Sequence, residues 1–191
     1  MQNKDVQRLT LMVWLALVST FLGLYFFKPE LFHANNLKLL FSENLVESLL
    51  IYFLIGTLRG FTLVPLTPLL LAGALVLPAW PLYVVTLLCV LTSSSIAYYL
   101  GRYLGFDVYF NKKYPKQIAQ LQQALKGKEI PVITLWGFFP VVPTDLICYV
   151  SEVMRIPLWK VLLGVIIGEA VICAVYIWGT DHLVGLILSG L

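Results

Sequence analysis

Two acidic side chains lie inside long apolar stretches of this chain, where a carboxylate is costly. Asp145 lies in the run FFPVVPTDLICYV, and Glu169 lies in the run GVIIGEAVI. A carboxylate at the centre of a bilayer costs several kcal/mol, so each side chain needs a partner, a water-filled cavity or a bound proton. We therefore predict that both residues handle a proton or a polar substrate. Capping of the helix that begins near Thr144 is an alternative, compatible role for Asp145.

Two arginines stand at the edges of apolar stretches and could bind a lipid phosphate. Arg59 precedes the apolar residues 60–81, and Arg155 follows Asp145 by ten positions. A guanidinium group at the membrane boundary attracts phosphate headgroups, although a boundary residue that only reaches for water is the alternative for Arg59. Glu152 stands three residues before Arg155, and we expect these two side chains to form a local ion pair.

Prolines interrupt the backbone around these charges. Two pairs with a spacing of three lie in residues 60–81 and 130–157, namely Pro65 with Pro68 and Pro140 with Pro143. Proline removes a backbone donor, so a straight spanning helix would leave carbonyl groups unpaired in hydrocarbon. A re-entrant hairpin avoids this cost, because its break lines a polar cavity inside the protein. We predict such a hairpin in both segments, with a single proline-kinked spanning helix as the alternative for the first.

The composition places the chain among membrane proteins with several spans. Hydrophobic residues make up 60% of the sequence and charged residues 12%, about half the charged fraction of a typical soluble domain. The net charge of +3 is scattered among apolar runs, which excludes a nucleic-acid-binding surface. The cysteines and histidines lack metal-site spacing, and no nucleophile stands beside a base. We therefore predict no metal, no cofactor and no enzymatic activity.

Three segments are long and apolar enough to cross a bilayer as helices, namely residues 9–27, 82–101 and 158–179. The first is predicted to be a retained anchor, because no small-residue cleavage motif follows it. The second contains a narrow face of small residues, and the third contains a GxxxG motif. These positions, where other helices are expected to pack closely, are Ser93, Ala97, Gly101, Gly164 and Gly168.

The remaining segments are more polar. Asn44 and Glu47 resemble a capping box, which predicts the start of a helix too short to span upright. Residues 102–128 contain six basic residues and one acidic residue, so they form a cytoplasmic loop, with an amphipathic helix from Pro115. The predicted organisation is an anchor (1–28), an interfacial segment with an oblique helix (29–58), a first repeat (59–101), the basic loop (102–129), a second repeat (130–180) and a tail (181–191).

The two repeats are predicted to enter the membrane from opposite sides. Lys4 and Arg8 place the N-terminus in the cytoplasm together with the basic loop, so the chain crosses twice between them and the C-terminus lies outside. The predicted fold is an all-α polytopic membrane protein, with an inverted-topology repeat of two re-entrant hairpins, each followed by a transmembrane helix. Broken segments in such repeats meet near the bilayer midplane and form a substrate site.

These residues also carry a family resemblance. The run FFPVVPTDLICYV, followed by Arg155, Pro157 and the GVIIGE segment, resembles the second hairpin of the DedA family, also called the VTT-domain or SNARE-associated Golgi family. The run VPLTPLLLAGALV resembles its first hairpin. Two departures from the family pattern stand out. Gly137 occupies a position that is often arginine in the family, and the first hairpin lacks the acidic residues that many bacterial members have there.

The resemblance implies a role in lipid translocation, such as recycling of undecaprenyl phosphate across the bacterial inner membrane or scrambling of phospholipids. It also implies that protons could drive the process, as in some family members. Our leading hypothesis is therefore a lipid translocase in the cell membrane, with membrane lipids as its partners and protons as candidate coupling ions. A proton-coupled transporter of a small solute or ion and a non-transporting membrane scaffold are the alternatives. The predicted substrate and proton path comprises Arg59, Pro65, Pro68, Pro140, Pro143, Asp145, Arg155 and Glu169.

Overall fold

The structure is a computed structural model that describes residues 4–28, 30, 33–37, 40–41, 44–139 and 143–189. Its regular elements within these ranges are helical. A 3₁₀ turn (Arg59–Phe61) extends α3. In chain order the α-helices are α1 (Lys4–Phe27), α2 (Ala34–Leu37), α3 (Leu45–Leu58), α4 (Thr67–Ala74), α5 (Ala79–Tyr103), α6 (Phe106–Lys113), α7 (Pro115–Leu125), α8 (Glu129–Gly137), α9 (Thr144–Val153) and α10 (Leu158–Ser189).

Within the described residues, three helical segments are long and apolar enough to cross a membrane, namely Leu9–Phe27, Ala79–Tyr103 and Leu158–Thr180. These are the three predicted spans, with the second extended at both ends. The third belongs to α10, which continues as a helix to Ser189. The predicted tail is therefore helical over its described part. Its last two residues, 190–191, lie outside the described residues.

The α3 helix starts where the sequence predicts. The side chain of Asn44 accepts hydrogen bonds from the backbone N–H groups of Val46 and Glu47, at 3.0 and 3.4 Å. Such a cap satisfies donors that the first helical turn leaves unpaired. The α3 helix ends in the 3₁₀ turn, and the chain then bends through residues 62–66, where Leu63 has a φ of +56°.

The first broken segment is made by α3 and α4, which lie along the N-terminal half of α5. The Tyr52 and Thr86 hydroxyls are 2.9 Å apart, and a methyl group added at Gly60 would lie 2.8 Å from Ser93 Cβ. The α3 and α5 helices therefore run in the same direction. The α4 helix runs back towards the start of α5, where Gly73 lies against Leu82. The limb before the break is α3. The sequence predicted both limbs of the first hairpin within residues 60–81. That boundary is wrong, because α3 ends before this range and α4 is the limb inside it. Pro65 lies just before α4, and Pro68 lies in its first turn.

The second broken segment is made by α8 and α9. A methyl group added at Gly164 would lie 2.7 Å from Ile133 Cβ, and one at Gly168 would lie 2.7 Å from the Thr134 carbonyl oxygen. The GxxxG motif therefore does allow close packing, as predicted, and α8 runs in the same direction as α10. The α9 helix then returns along α5, where Gly101 packs against Tyr149.

The α5 helix lies at the centre of the packing, in contact with α3, α9 and α10. Ser93, Ala97 and Gly101 are all buried, so the predicted small-residue face is indeed a packing surface. The C-terminal end of α5 leads to the polar helices α6 and α7, and α7 starts at Pro115, as predicted. This arrangement brings the two chain breaks together beside the middle of α5.

Candidate functional site

A buried ion pair joins the two broken segments. Arg59 Nη1 donates a hydrogen bond to Asp145 Oδ2 at 2.9 Å, with side-chain exposures of 7% and 0%. The same Nη1 also donates to the Val64 carbonyl oxygen at 3.1 Å, which anchors the guanidinium to the first break. The pair therefore ties the end of α3 to the start of α9.

Local helix geometry favours both charges in these places. Arg59 follows α3 at its C-terminal end, and Asp145 lies in the first turn of α9. Partial charges at helix ends stabilise a cation at the C-terminus and an anion at the N-terminus. Asp145 makes no cap hydrogen bond, because the N-cap residue of α9 is Pro143 and that cap has no side-chain hydrogen bond. The alternative role of Asp145 as a helix cap is therefore wrong, and its partner is an arginine.

The pair leaves part of its hydrogen-bonding capacity unused. Arg59 Nε and Nη2 and Asp145 Oδ1 are buried and have no hydrogen-bond partner among the described atoms. Buried polar groups are normally satisfied by protein or water, and each exception needs an explanation. Two nitrogens of the guanidinium, Nε and Nη2, can therefore still donate hydrogen bonds to a further oxygen.

Glu169 of α10 completes this central site. Its side chain is 8% exposed, and its Oε2 accepts a hydrogen bond from Cys173 Sγ at 3.6 Å. A small cavity of about 20 Å³ lies between Glu169 and Arg59 and is also lined by residues of both chain breaks, among them Pro65, Pro143 and Thr144. This volume holds roughly one water molecule. The central site is thus a small cavity in which the charged groups of Arg59 and Glu169 lie among apolar side chains.

A second, larger cavity adjoins the first at Arg59 and Pro65. Its volume is about 230 Å³, and Arg59 and Thr62 are the polar members of an otherwise apolar lining. Phe21 of α1 and Leu37 of α2 contribute to that lining, together with residues of α3 and α4. The cavity is half open to its surroundings, so an apolar chain could reach the guanidinium from the side.

Arg155 and Glu152 lie elsewhere, in a polar cavity of about 460 Å³ that shares no lining residue with the other two. The predicted ion pair between them is wrong. Among the described residues the structure forms salt bridges at Arg59–Asp145 and Lys160–Glu129, and Glu152 Oε2 has no hydrogen-bond partner. Burial raises the pKa of Glu152 to about 7, with a further contribution from Asp107.

The structure thus places four of the predicted residues around one small cavity, namely Arg59, Pro65, Pro143 and Glu169. Asp145 does not line this cavity and joins the site through its ion pair with Arg59. Pro68 lines the adjoining apolar cavity, Arg155 lies in the separate polar one, and Pro140 lies outside the described residues. Sequence reasoning missed Thr144 and Gly137 as lining residues of the central cavity. Their position beside the second proline pair was the available signal.

In the described part of the chain, no three His, Cys, Asp or Glu side chains gather into a ligand set. The three cysteines are free and buried. Cys173 donates its weak hydrogen bond to Glu169, which is a packing role beside the central site.

Comparison with known proteins identifies one family model, the VTT domain, which matches residues 64–181. The match covers more than half of the chain and includes α4, α5, the second broken segment and α10 as far as residue 181. No curated protein and no solved structure matches the chain.

Proposed function

The chain belongs to the VTT domain family, and from this premise we propose that it is a membrane lipid translocase for a phosphate-bearing lipid. Three apolar helices and the family together make it a multi-pass membrane protein. Undecaprenyl phosphate and phospholipids are the substrates that we consider. The proposed role is transport, without a chemical step.

The observation that carries the proposal is the Arg59–Asp145 pair between two chain breaks. Arg59 retains two unpaired N–H-bearing nitrogens within the described structure, and it faces both the polar and the apolar cavity. A guanidinium group binds phosphate through several directed hydrogen bonds. The headgroup would therefore bind at Arg59, while the acyl or prenyl tail would occupy the apolar cavity beside Phe21 and stay in contact with lipid.

The position of Arg59 also fits the departure of this chain from the family pattern. Gly137, where arginine is common in the family, lines the same small cavity as Arg59. A methyl group added at Gly137 would lie 3.2 Å from Gly168 Cα, so a larger side chain would separate α8 from α10. We infer that Arg59 supplies from the first segment the guanidinium that position 137 lacks.

The acids would control access to this cation. In the resting pair Asp145 neutralises Arg59, and an arriving phosphate would compete for the same guanidinium. Glu169, across the small cavity, would lose its proton only where a cation or water stabilises the charge. Coupling of translocation to protons would run through these two carboxyl groups.

The helix contacts support an inverted pair of re-entrant hairpins. The first segment runs along the N-terminal half of α5, and the second along the N-terminal half of α10. Trp80 of α5 packs against Trp178 of α10, with ring centroids 5.1 Å apart, so these two helices run antiparallel. The two segments would therefore enter the membrane from opposite sides and meet near its middle.

The same contacts support the proposed orientation of the chain. Trp14 of α1 packs against Phe106, the first residue of α6, with ring centroids 5.7 Å apart. The N-terminal half of α1 and the basic residues 102–128 are then on one side, which we assign to the cytoplasm by the positive-inside rule. This assignment places the C-terminus outside, in the cell membrane of a bacterium if the substrate is undecaprenyl phosphate.

Reconstitution into liposomes with fluorescent phospholipids or labelled undecaprenyl phosphate tests the proposal. Transbilayer movement is compared for the native chain, Asp145→Asn, Glu169→Gln and Arg59→Gln, with Glu129→Gln as a control acid at the surface. We expect loss of movement with Arg59→Gln and altered pH dependence with the two acid variants. Movement no faster than in empty liposomes would contradict the proposal.

The same preparation separates the two alternatives. Proton uptake coupled to a small solute, without lipid movement, would indicate a solute transporter. Retention of every measured activity in all three central variants would favour a membrane scaffold. The structure itself favours the lipid, because the closed central cavity has room for about one water, whereas the apolar cavity beside Arg59 is open laterally.

A further inference from the structure

A polar cavity of about 460 Å³ lies where α5, α6 and α9 come together. Every residue that lines it carries a polar or charged side chain, namely Tyr98, Arg102, Asp107, Glu152 and Arg155. In a chain with 60% hydrophobic residues such a lining is unusual. It lies at the basic end of the molecule and shares no residue with the central site.

The backbone at Arg155 is held in a conformation that does not suit an arginine. Its φ is +57°, in the left-handed region. Its N–H donates to the Glu152 carbonyl oxygen at 2.8 Å, and the Ile156 N–H donates to that of Ser151 at 2.9 Å. These bonds close the end of α9 in a turn that glycine forms without a steric penalty. This conformation is strained for an arginine, and strained backbone of this kind clusters at functional sites.

The two arginines of the cavity have no acidic partner within salt-bridge distance among the described residues. Arg102 lies in the last turn of α5, Arg155 follows α9, and both are exposed. Tyr98 donates to the Ile156 carbonyl oxygen at 2.8 Å and so fixes the loop that carries Arg155. Two guanidinium groups from different elements therefore line one cavity.

Glu152 is the buried member of the lining. Its side chain belongs to a residue that is 5% exposed, and its Oε2 has no hydrogen-bond partner in the described part of the chain. The groups that face it are Tyr98 and Arg102 from α5, Asp107 from α6, and Arg155 from the loop after α9. Since its pKa is raised to about 7, chiefly by burial, a proton is available there near neutral pH.

We propose that this cavity binds a terminal phosphate group through Arg102 and Arg155, with the carboxyl group of Glu152 as a further contact. A phosphate presents three or more oxygens, so it can accept from two guanidinium forks and a carboxyl O–H together, whereas a carboxylate has only two oxygens. The phosphate belongs either to a lipid headgroup or to a soluble ion, since the recognition chemistry is the same. The site is independent of lipid translocation and of the Arg59–Asp145 pair.

Phosphate binding to the full-length protein tests this site. The chain is embedded in nanodiscs of phosphatidylcholine, and binding of ³²P-labelled inorganic phosphate is measured at equilibrium. We expect Arg155→Gly and Arg102→Gln each to weaken binding at least tenfold. Lys116→Gln removes one exposed positive charge from α7, outside the cavity, and should change affinity less than twofold.

The Arg155→Gly variant separates a binding role from a structural one. Glycine suits the positive φ, so the thermal unfolding temperature should stay unchanged or rise while phosphate binding is lost. Native-like phosphate binding by this variant would overturn the proposal. So would the absence of saturable phosphate binding to the native chain.

The role of Glu152 is tested by comparing the native chain with Glu152→Gln at equal pH, so that titration of phosphate itself cancels. Glutamine keeps a donor at every pH. The native protein should bind nearly as well as the variant at pH 6 and several-fold more weakly at pH 8. An affinity ratio that does not change with pH would remove Glu152 from the site.

A second arm identifies the source of the phosphate. Nanodiscs that contain phosphatidic acid should weaken binding of inorganic phosphate to the native chain if a lipid headgroup occupies the cavity. Unchanged binding in those discs assigns the site to soluble phosphate. Failure of phosphate to bind would leave the liposome assay of lipid movement intact, so the two proposals fail separately.

Discussion

At the scale of single residues, the central feature is a buried contact between an arginine and an aspartate, one beside each chain break. Arg59 and Asp145 are 86 positions apart, buried and in direct contact. Removing two charges from water costs several kcal/mol per ion, which the attraction between them offsets only when the geometry is good. Such a pair is a costly way to hold two segments together, and this cost favours a functional use for it.

A double-mutant cycle measures how strongly these two residues depend on each other. Arg59→Met or Asp145→Leu alone leaves one buried charge without its partner, so each should lower the free energy of unfolding by about 3–5 kcal/mol. The double variant should lose clearly less than the sum, with a coupling energy of about 0.5–3 kcal/mol. Unfolding in mixed micelles provides the measurement.

The partly exposed pair of Lys160 and Glu129, 3.2 Å apart, is the matched control for this cycle. Solvent screens its charges, so Glu129→Gln should cost much less than either central substitution. If the changes in unfolding free energy for Arg59→Met and Asp145→Leu simply added, the two residues would not be energetically coupled.

The protonation of Glu152 predicts a pH dependence of stability. Its pKa is raised from 4.5 to about 7, so the folded protein holds a proton that the unfolded chain has released between these values. The stabilisation is complete below pH 4.5 and is lost as pH rises through about 7. Glu152→Gln should flatten this part of the stability profile, measured by thermal unfolding from pH 4.5 to 8. An unchanged profile would contradict the raised pKa.

At the scale of elements, the packing of each broken segment depends on glycines that allow close approach. Gly60 lies against Ser93 of α5, and Gly164 and Gly168 lie against α8. These contacts fix the depth of both breaks along the spanning helices, because a larger side chain would have to displace backbone or β-carbons. Helix spacing thus controls whether Arg59 and Asp145 can meet.

Two glycines of α10 give a matched test of this packing. The added methyl group of Gly168→Ala would lie 2.7 Å from a backbone oxygen, Thr134 O, so the variant should be destabilised by about 1–3 kcal/mol. Gly179→Ala meets no described atom within 4 Å and should be neutral or slightly stabilising, because alanine favours a helix. Equal effects in thermal unfolding would show that α8 does not pack closely on α10.

At the scale of the whole molecule, the outer surface is that of a protein surrounded by lipid. Along α10, exposed apolar side chains recur every fourth residue, at Leu163, Ile167, Val171 and Val175. A helix with a buried and an apolar exposed face suits a bilayer, where no water must be excluded from that face. The buried polar side chains of α5 and α10 lie on the inner faces of these helices, namely Thr86, Ser93, Ser94 and Glu169.

Cysteine accessibility tests the proposed orientation. In a background where Cys89, Cys148 and Cys173 are replaced by alanine, an impermeant thiol reagent added outside intact cells should label Val76→Cys and spare Lys126→Cys. Both sites are exposed, and they lie before and after α5. Equal labelling of the two sites, with intact membranes verified, would contradict a crossing between them.

Local patterns in the sequence were sufficient to predict much of the fold. The three spans, the Asn44 cap, the α7 helix and the close packing at Gly168 follow from hydrophobic length, side-chain caps and small-residue spacing, which act within a few helical turns. The family was also readable, because its proline runs are contiguous in the chain. The boundary of the first broken segment could not be predicted in this way, because α3 forms its first limb by packing on α5.

The sequence by itself determined that Asp145 and Glu169 are costly in a membrane and need compensation, because the apolar runs around them are local. Only the tertiary structure decided that Arg59 compensates Asp145 and that Arg155 does not pair with Glu152. For Arg59 and Asp145 the physical reason is their distance along the chain. An ion pair between residues 86 positions apart depends on how two helices pack against a third, and no short-range pattern encodes that contact.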